Sequence, residues 1–266
     1  MFAGAGMKIH CLGTAGFHPN ADRHTSCYFL PDSGVLLDAG TGVFRLAPLI
    51  QTDSIDILLS HAHLDHVAGL TFLLDVFYQR PVKKVTIWGE QAKLDAVRNH
   101  LFSELIFPVQ LDAEFRAIDD LTEFVVADNA RVSWRTQDHP GGSVGYRVDW
   151  AAEGAGEAKR LVYLTDTTGD SSENAIEWCR DADLMLHECY FRDSAEEWAK
   201  KTGHSWTSKV IEIAKAAKPK KLLLTHINPI ENGDSVELDT GVEIGRFRSD
   251  LAAEVQVAED NMVLDF

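Results

Sequence analysis

Short apolar runs alternate with longer segments of helical period along almost the whole chain. Runs of strand length and composition fall at residues 8–12, 27–30, 34–38, 55–60, 84–88, 144–148 and 160–165, and again at 184–187, 221–225 and 262–266. Turn formers such as Pro31-Asp32-Ser33-Gly34 stand between them. Helical periods occupy residues 69–78, 90–102, 172–180, 207–217 and 238–251, several of them opened by a capping residue. Strands interleaved with helices in this way predict an α/β protein. Repeats, low-complexity tracts and Pro/Ser-rich linkers are missing, so the pattern predicts one domain over residues 1–266. Residues 149–159 read as a hairpin turn between two strands, and residues 1–6 as an extension outside the fold.

Composition narrows the class without naming a chemistry. With 45% apolar and 25% charged residues, the 266-residue chain has the make-up of a folded globular protein and not of a disordered one. The four cysteines, Cys11, Cys27, Cys179 and Cys189, form no CxxC pair, and they read as small buried hydrophobes of a reduced, cytoplasmic protein. No segment has the length of a membrane span, and no signal peptide is expected. The formal net charge of −16 repels polyanions. Long nucleic acids are thus disfavoured as substrates, although Lys215, Lys218, Lys220 and Lys221 leave room for a local basic patch.

Candidate chemistry concentrates at His61-Ala62-His63-Leu64-Asp65-His66, directly after the strand at 55–60. Imidazole nitrogen and carboxylate oxygen suit zinc and similar divalent ions, and a tight turn at a strand end can aim them at two neighbouring points. A solvated, histidine-rich turn would account for one or two of these residues but not for all four. Three further candidates stand where other strands end: His139 after 132–137, Asp166 after 160–165 and His226 after 221–225. Strand ends are where open α/β sheets gather their sites. Each one alone reads more readily as a capping or turn residue; together with the cluster they predict a metal centre.

In these residues the chain resembles the metallo-β-lactamase superfamily, whose members carry an HxHxDH cluster followed by a His, an Asp and a His at later strand ends. The resemblance extends from Met7 to Phe266. It implies a four-layered αβ/βα sandwich with a dinuclear metal site at the sheet edge. One ion would be held by His61, His63 and His139, a second by Asp65, His66 and His226, with Asp166 between them. Two zinc ions are the expected pair, since His63 stands where iron-dependent relatives have Glu; manganese and iron stay open. A metal-bridging hydroxide would then make the protein a hydrolase, with Asp65 also in the catalytic set.

Three more segments resemble the ribonuclease Z and phosphodiesterase branch of that superfamily. They are Gly13-Thr14-Ala15-Gly16-Phe17-His18-Pro19 with Arg23 and Ser26, Leu186-His187-Glu188-Cys189-Tyr190 in place of a HEAT motif, and Gly203-His204-Ser205-Trp206 in place of an HST motif. The resemblance implies that His204, oriented by Glu188, protonates the leaving alkoxide; a structural polar pair is the other reading. Ribonuclease Z carries a long arm after its Gly-Tyr-Arg strand, whereas Gly145-Tyr146-Arg147-Val148 here leads into a short turn. The expected substrate is therefore a small phosphodiester such as a cyclic nucleotide. Three alternatives stay open: tRNA 3′ processing, hydrolysis of a thioester, lactone or lactam, and a non-catalytic, metal-stabilised binding protein. The aromatic helix at 70–78 packs into the core or forms a homodimer surface.

Overall fold

The computed structural model describes residues 7–127, 129–152, 157–230 and 242–266. The expected extension at 1–6, the middle of the turn at 149–159 and the first residues of the helix at 238–251 lie outside the described residues. The chain forms two compact units. One comprises the described residues from 7 to 129 with Glu259–Asp265, the other those from 130 to Ala258 with Phe266. No helix among the described residues is long and apolar enough to cross a membrane.

The first unit is built on a mixed sheet of β1 (Lys8–Gly13), β2 (Cys27–Leu30), β3 (Val35–Leu37), β4 (Ser54–Leu58), β5 (Lys84–Gly89), β6 (Glu114–Ala117) and β14 (Val263–Asp265), in the order β14-β1-β2-β3-β4-β5-β6. Pairing is antiparallel from β14 to β3 and parallel from β3 to β6. Interior strands such as β3 are buried at every position, which is why they read as unbroken apolar runs. On one face Phe29, Leu36, Ile55, Ile57, Val85 and Ile87 form a core with Val67, Leu70, Leu73 and Val76 from the helical segments.

Those helical segments depart from the expected single helix at 69–78. A four-residue α1 (Leu64–Val67) passes into a 3-10 stretch, Ala68–Phe72, before α2 (Leu73–Gln79) begins. The cause is Gly69, whose N–H donates to the Ala39 carbonyl at 2.8 Å and so leaves the helical ladder. A Cβ at Gly69 would lie 2.0 Å from the Gly40 carbonyl oxygen, so the backbones touch there. The expected helix at 90–102 is likewise α3 (Gln91–Ala96) followed by a wider π turn, Val97–Leu101. Across that turn Phe102 is buried with Leu94 and Val97 in the core, and Leu101 packs against it half-buried.

β7 (Glu123–Val126) follows, alternately exposed and buried. The second unit holds a mixed sheet of β8 (Ala130–Gln137), β9 (Ser143–Trp150), β10 (Lys159–Leu164), β11 (Leu184–Glu188), β12 (Lys221–Thr225) and β13 (Glu254–Val257), in the order β13-β12-β11-β10-β9-β8. β8, β9 and β10 pair antiparallel, and β10 to β13 run parallel. Trp150 pairs with Lys159, so β9 returns into β10 as the expected hairpin. α4 (Glu173–Cys179) is capped by Ser172, whose hydroxyl accepts from Ala175 N. α5 (Glu196–Thr202), α6 (Thr207–Ala217) and α7 (Val242–Asp250) complete the unit. The buried face of α6, with Val210, Ile213, Ala214 and Ala217, shares a core with Val162, Met185 and Leu222. All four cysteines are free and buried, and burial pushes the Cys11 and Cys179 thiols up to about 12.

Candidate metal centre

In the first unit, β4 runs into the turn that carries His61, His63, Asp65 and His66, with Asp65 and His66 in α1. The rings of His61 and His63 lie 4.4 Å apart and those of His61 and His66 4.3 Å apart. A residue with no sequence signal organises them. Asp38, wholly buried at the end of β3, accepts from Ser60 N, Ser60 Oγ and His66 Nδ1, each at 2.7 Å. Ser60 Oγ in turn lies 3.0 Å from His61 Nδ1. With its own proton given to Asp38, that hydroxyl accepts from His61, so both His61 and His66 carry their proton on Nδ1 and a lone pair on Nε2. Such buried carboxylate and hydroxyl partners fix the tautomer and ring angle of metal-binding imidazoles.

Asp65 is held from another side. The Phe17 amide donates to Asp65 Oδ2 at 2.7 Å, from a residue whose φ is +62°. The base of that first loop is tied down by Asp260, which accepts from Thr14 Oγ1 and His24 N and pairs with Arg45.

The second unit brings His139, Asp166, Glu188, His204 and His226 together. His139 donates from Nδ1 to the Gly203 carbonyl at 2.8 Å, again leaving the lone pair on Nε2. Gly203 closes α5 in the left-handed conformation at φ +80°, and a Cβ there would meet Pro140 at 2.3 Å and His139 Nδ1 at 2.8 Å. Only glycine serves that cap and that contact together. Asp166 Oδ1 lies 3.5 Å from His139 Nε2, and its Oδ2 lies 3.2 Å from His226 Nε2 and accepts from Thr165 Oγ1 at 2.7 Å. His204 directs Nδ1 at Glu188 Oε1, 3.2 Å away, and Glu188 Oε1 also accepts from Thr167 N at 2.6 Å. Ligand-type atoms of Asp166, His204 and His226 all lie within 4.8 Å of one another. Asp38, Asp166 and His226 share a left-handed backbone, with φ of +54°, +50° and +52°.

Tyr190 stacks on the His204 ring at 4.6 Å and joins Phe191, Ala199 and Trp206 in a small cluster. Two of the three residues that depart from the HEAT and HST patterns, Tyr190 and Trp206, therefore pack in one place, while the third, Cys189, lies in the core beside α6. Trp206 is 6% exposed, with the Lys200 ammonium 5.1 Å from its ring, and so supports α6.

The donor set fits divalent cations. His66 Nε2 stands 3.3 Å from Asp65 Oδ2, and His139 Nε2 3.5 Å from Asp166 Oδ1. With both Nδ1 protons donated elsewhere, each pair sets a lone pair against a carboxylate oxygen, an arrangement that a cation between them makes favourable. Two donors on one tetrahedral zinc lie about 3.4 Å apart, given bonds of roughly 2.0–2.2 Å. Burial also holds the His139 imidazole below its usual pKa, against the pull of Asp166, which favours the neutral form that binds metal.

Two tests follow from this wiring. Asp38→Asn keeps the left-handed backbone but removes the charge behind His66. It is expected to weaken zinc binding about 10- to 100-fold in competition with a chelator; unchanged affinity would show that Asp38 does not act on the ligand. His187, also wholly buried, donates from Nδ1 to the Glu188 carbonyl at 2.7 Å, and burial pushes its pKa down. Below its usual value the unfolded chain takes up a proton that the folded chain does not. Its contribution to stability is thus complete above about pH 6.5 and declines as the pH falls, by at most about 1.4 kcal/mol per unit. Denaturant titrations of metal-free protein at pH 7.5 and 5.5 should show a smaller acid loss for His187→Gln than for the parent, and equal losses would contradict the assignment.

Residues 21–227 match the family model described as the Beta-lactamase superfamily domain. A Ribonuclease Z of Haloarcula marismortui is 28% identical over 310 residues, covering 96% of each chain. That aligned span exceeds the 266 residues here, so the relative carries segments with no counterpart in this chain. Among solved structures, the metallo-beta-lactamase fold protein YhfI from Bacillus subtilis superposes with a TM-score of 0.74 at 21% identity, over 97% of this chain and 99% of that one. The short form of human tRNase Z gives 0.73 at 22%, over 97% and 99%. These two likenesses are of fold.

Proposed function

The chain belongs to the beta-lactamase superfamily and has the metallo-β-lactamase hydrolase fold, and from that premise we propose that it hydrolyses small phosphodiesters with two divalent cations, most simply zinc. One cation would be held by His61, His63 and His139, the other by Asp65, His66 and His226, with Asp166 ligating both. Bound there, such ions would lower the pKa of a bound water to near 7 and offset charge on phosphoryl oxygens.

The observation that carries the phosphodiester reading is the Glu188–His204 pair beside Asp166. Glu188 is wholly buried and locked by the Thr167 amide, so it orients His204 through Nδ1 and turns Nε2 to the substrate. An imidazolium held in that way can hand a proton to a departing alkoxide. Lactam or thioester cleavage has no need of the extra histidine. Tyr190, flat against the ring, restrains its tilt.

The hairpin bears on substrate size. β9 passes to β10 through residues 151–158 alone, where a long tRNA-gripping arm would be inserted. The chain's net charge of −16 also opposes the approach of a long polyanion. A second reading, tRNA 3′-end processing, draws on the Ribonuclease Z name of its relatives. Four free, buried cysteines suit a reducing compartment such as the cytoplasm.

The deciding experiment offers the zinc-loaded protein cyclic nucleotides, aryl phosphodiesters, thioesters, lactams and a precursor tRNA at moderate salt. Preferential turnover of the small diesters is expected. Cleavage of the tRNA at the higher kcat/KM would favour the second reading, and turnover of none of them would remove the catalytic one.

A further inference from the structure

Beside the Asp65 turn, the first unit contains an open cleft of about 800 Å³, within the size range of small-ligand sites. Its walls are aromatic. Phe44 and Phe72 line it while remaining 50% and 38% exposed, and Phe107 closes another side. Phe44 is braced by the His24 ring at 4.8 Å and by the Arg45 guanidinium at 4.9 Å, so this wall is set in advance of any ligand. Between the aromatics stand a few hydrogen-bonding groups, those of Thr41, Thr71, Asp75 and Gln79.

Three features of backbone continuity join the cleft to the metal-binding turn. Thr41 follows Gly40, where a Cβ would lie 2.3 Å from the Asp65 carbonyl oxygen. Thr71 stands two residues beyond Gly69, which packs on Gly40. Pro19 lies two residues beyond Phe17, whose amide binds the Asp65 carboxylate. Charge then selects the occupant. Among the described residues no lysine or arginine lines the cleft, burial holds His24 below its usual pKa, and Asp75 brings a negative charge. The lining thus offers a phosphate no lysine or arginine to offset its charge, whereas a flat, uncharged ring bearing amino groups finds both aromatic faces and acceptors.

We propose that this cleft seats the nucleobase of the substrate, stacked on Phe72 against the Phe44 wall, with its exocyclic groups facing Asp75 and Gln79. The proposal rests on the phosphodiester reading and refines it: the substrate becomes a nucleotide diester, its phosphoryl group at the Asp65 turn and its base in the cleft. Aromatic side chains recognise bases by stacking, and a few polar groups at the base edge choose among them.

The test separates base binding from turnover. 2-Aminopurine riboside, a fluorescent nucleoside without phosphate, is titrated into metal-free protein, where stacking quenches it. In parallel, kcat/KM of the zinc-loaded protein is measured for a 2′,3′-cyclic nucleotide and for a dialkyl phosphodiester with no ring. Binding to the parent is expected, weakened about tenfold or more by Phe72→Ala and further by the double Phe44→Ala, Phe72→Ala variant, the scale of a lost base–aromatic stack. The ratio of kcat/KM for the cyclic nucleotide over the dialkyl diester should fall by a similar factor. Unchanged quenching in both variants, or an unchanged ratio, overturns the proposal. So does sedimentation showing a dimer that the double variant dissociates while the parent fails to bind nucleoside, since a second copy then covers the cleft. Nucleoside binding with no diester turned over would instead count against the phosphodiester reading and leave the base site standing.

Discussion

An Asp166→Asn variant will retain fewer than two zinc ions per chain, and its turnover of the best phosphodiester will fall by about a thousandfold or more, the scale seen when one member of a catalytic unit is removed. Asp166 meets His139 Nε2 with one oxygen and His226 Nε2 with the other, at 3.5 and 3.2 Å. The two oxygens thus serve two imidazoles. Asparagine is chosen because it keeps the volume and tolerates the φ of +50°, so folding is not the variable under test. Alanine would confound backbone strain with ligand loss. The measurements are elemental analysis of the dialysed protein, steady-state kinetics and circular dichroism as a check on folding. Two retained zinc ions and activity within threefold of the parent would refute the ligand assignment.

His204→Ala should separate substrates by their leaving groups. For an alkoxide of high pKa the loss is expected at about 100- to 10,000-fold, the usual range for a lost general acid. A p-nitrophenyl ester, whose leaving group departs without a proton, should lose roughly tenfold or less. Glu188→Gln should show the same pattern more weakly, since it keeps the hydrogen-bonding shape around Oε1 but not the charge that stabilises an imidazolium. If His204→Ala slows both substrates equally, then the histidine supports the fold beside Tyr190 and does not donate the proton.

The seven ligand candidates could be picked out in the sequence because each carries its chemistry in its own side chain, in the turn after β4 and the start of α1 or just beyond a later strand, where the apolar pattern breaks off. Glu188 and His204 stood out through the short motifs they resemble, and the structure brings their side chains within 3.2 Å of each other. What the sequence hid acts through shape or backbone. Asp38 reads only as the last residue of the apolar run at 34–38, yet its carboxylate accepts from His66. The Phe17 amide and the Gly203 carbonyl belong to groups that every residue possesses. Tyr190 was visible only as a departure from a motif, and its contact with His204 depends on where Trp206 packs.

The same division holds for the fold. Interior strands such as β3 and β11 are buried along their whole length and announce themselves as apolar runs. Glu114-Phe115-Arg116-Ala117 and Glu254-Val255-Gln256-Val257 form β6 and β13 at sheet edges, where charge on the open side erases that signal. α5, Glu196–Thr202, has a single buried residue and too little apolar period to be seen. The break at Gly69 depends on contacts with Ala39 and Gly40, thirty residues away.

The left-handed backbone at Asp38, Asp166 and His226 narrows what a saturation library could recover. At the first two positions a residue must bring an anion and also accept a torsion that most side chains resist. Glutamate meets the first demand and asparagine the second, and aspartate alone meets both. These two codons should therefore be among the least permissive of the gene, intolerant even of swaps that conserve charge.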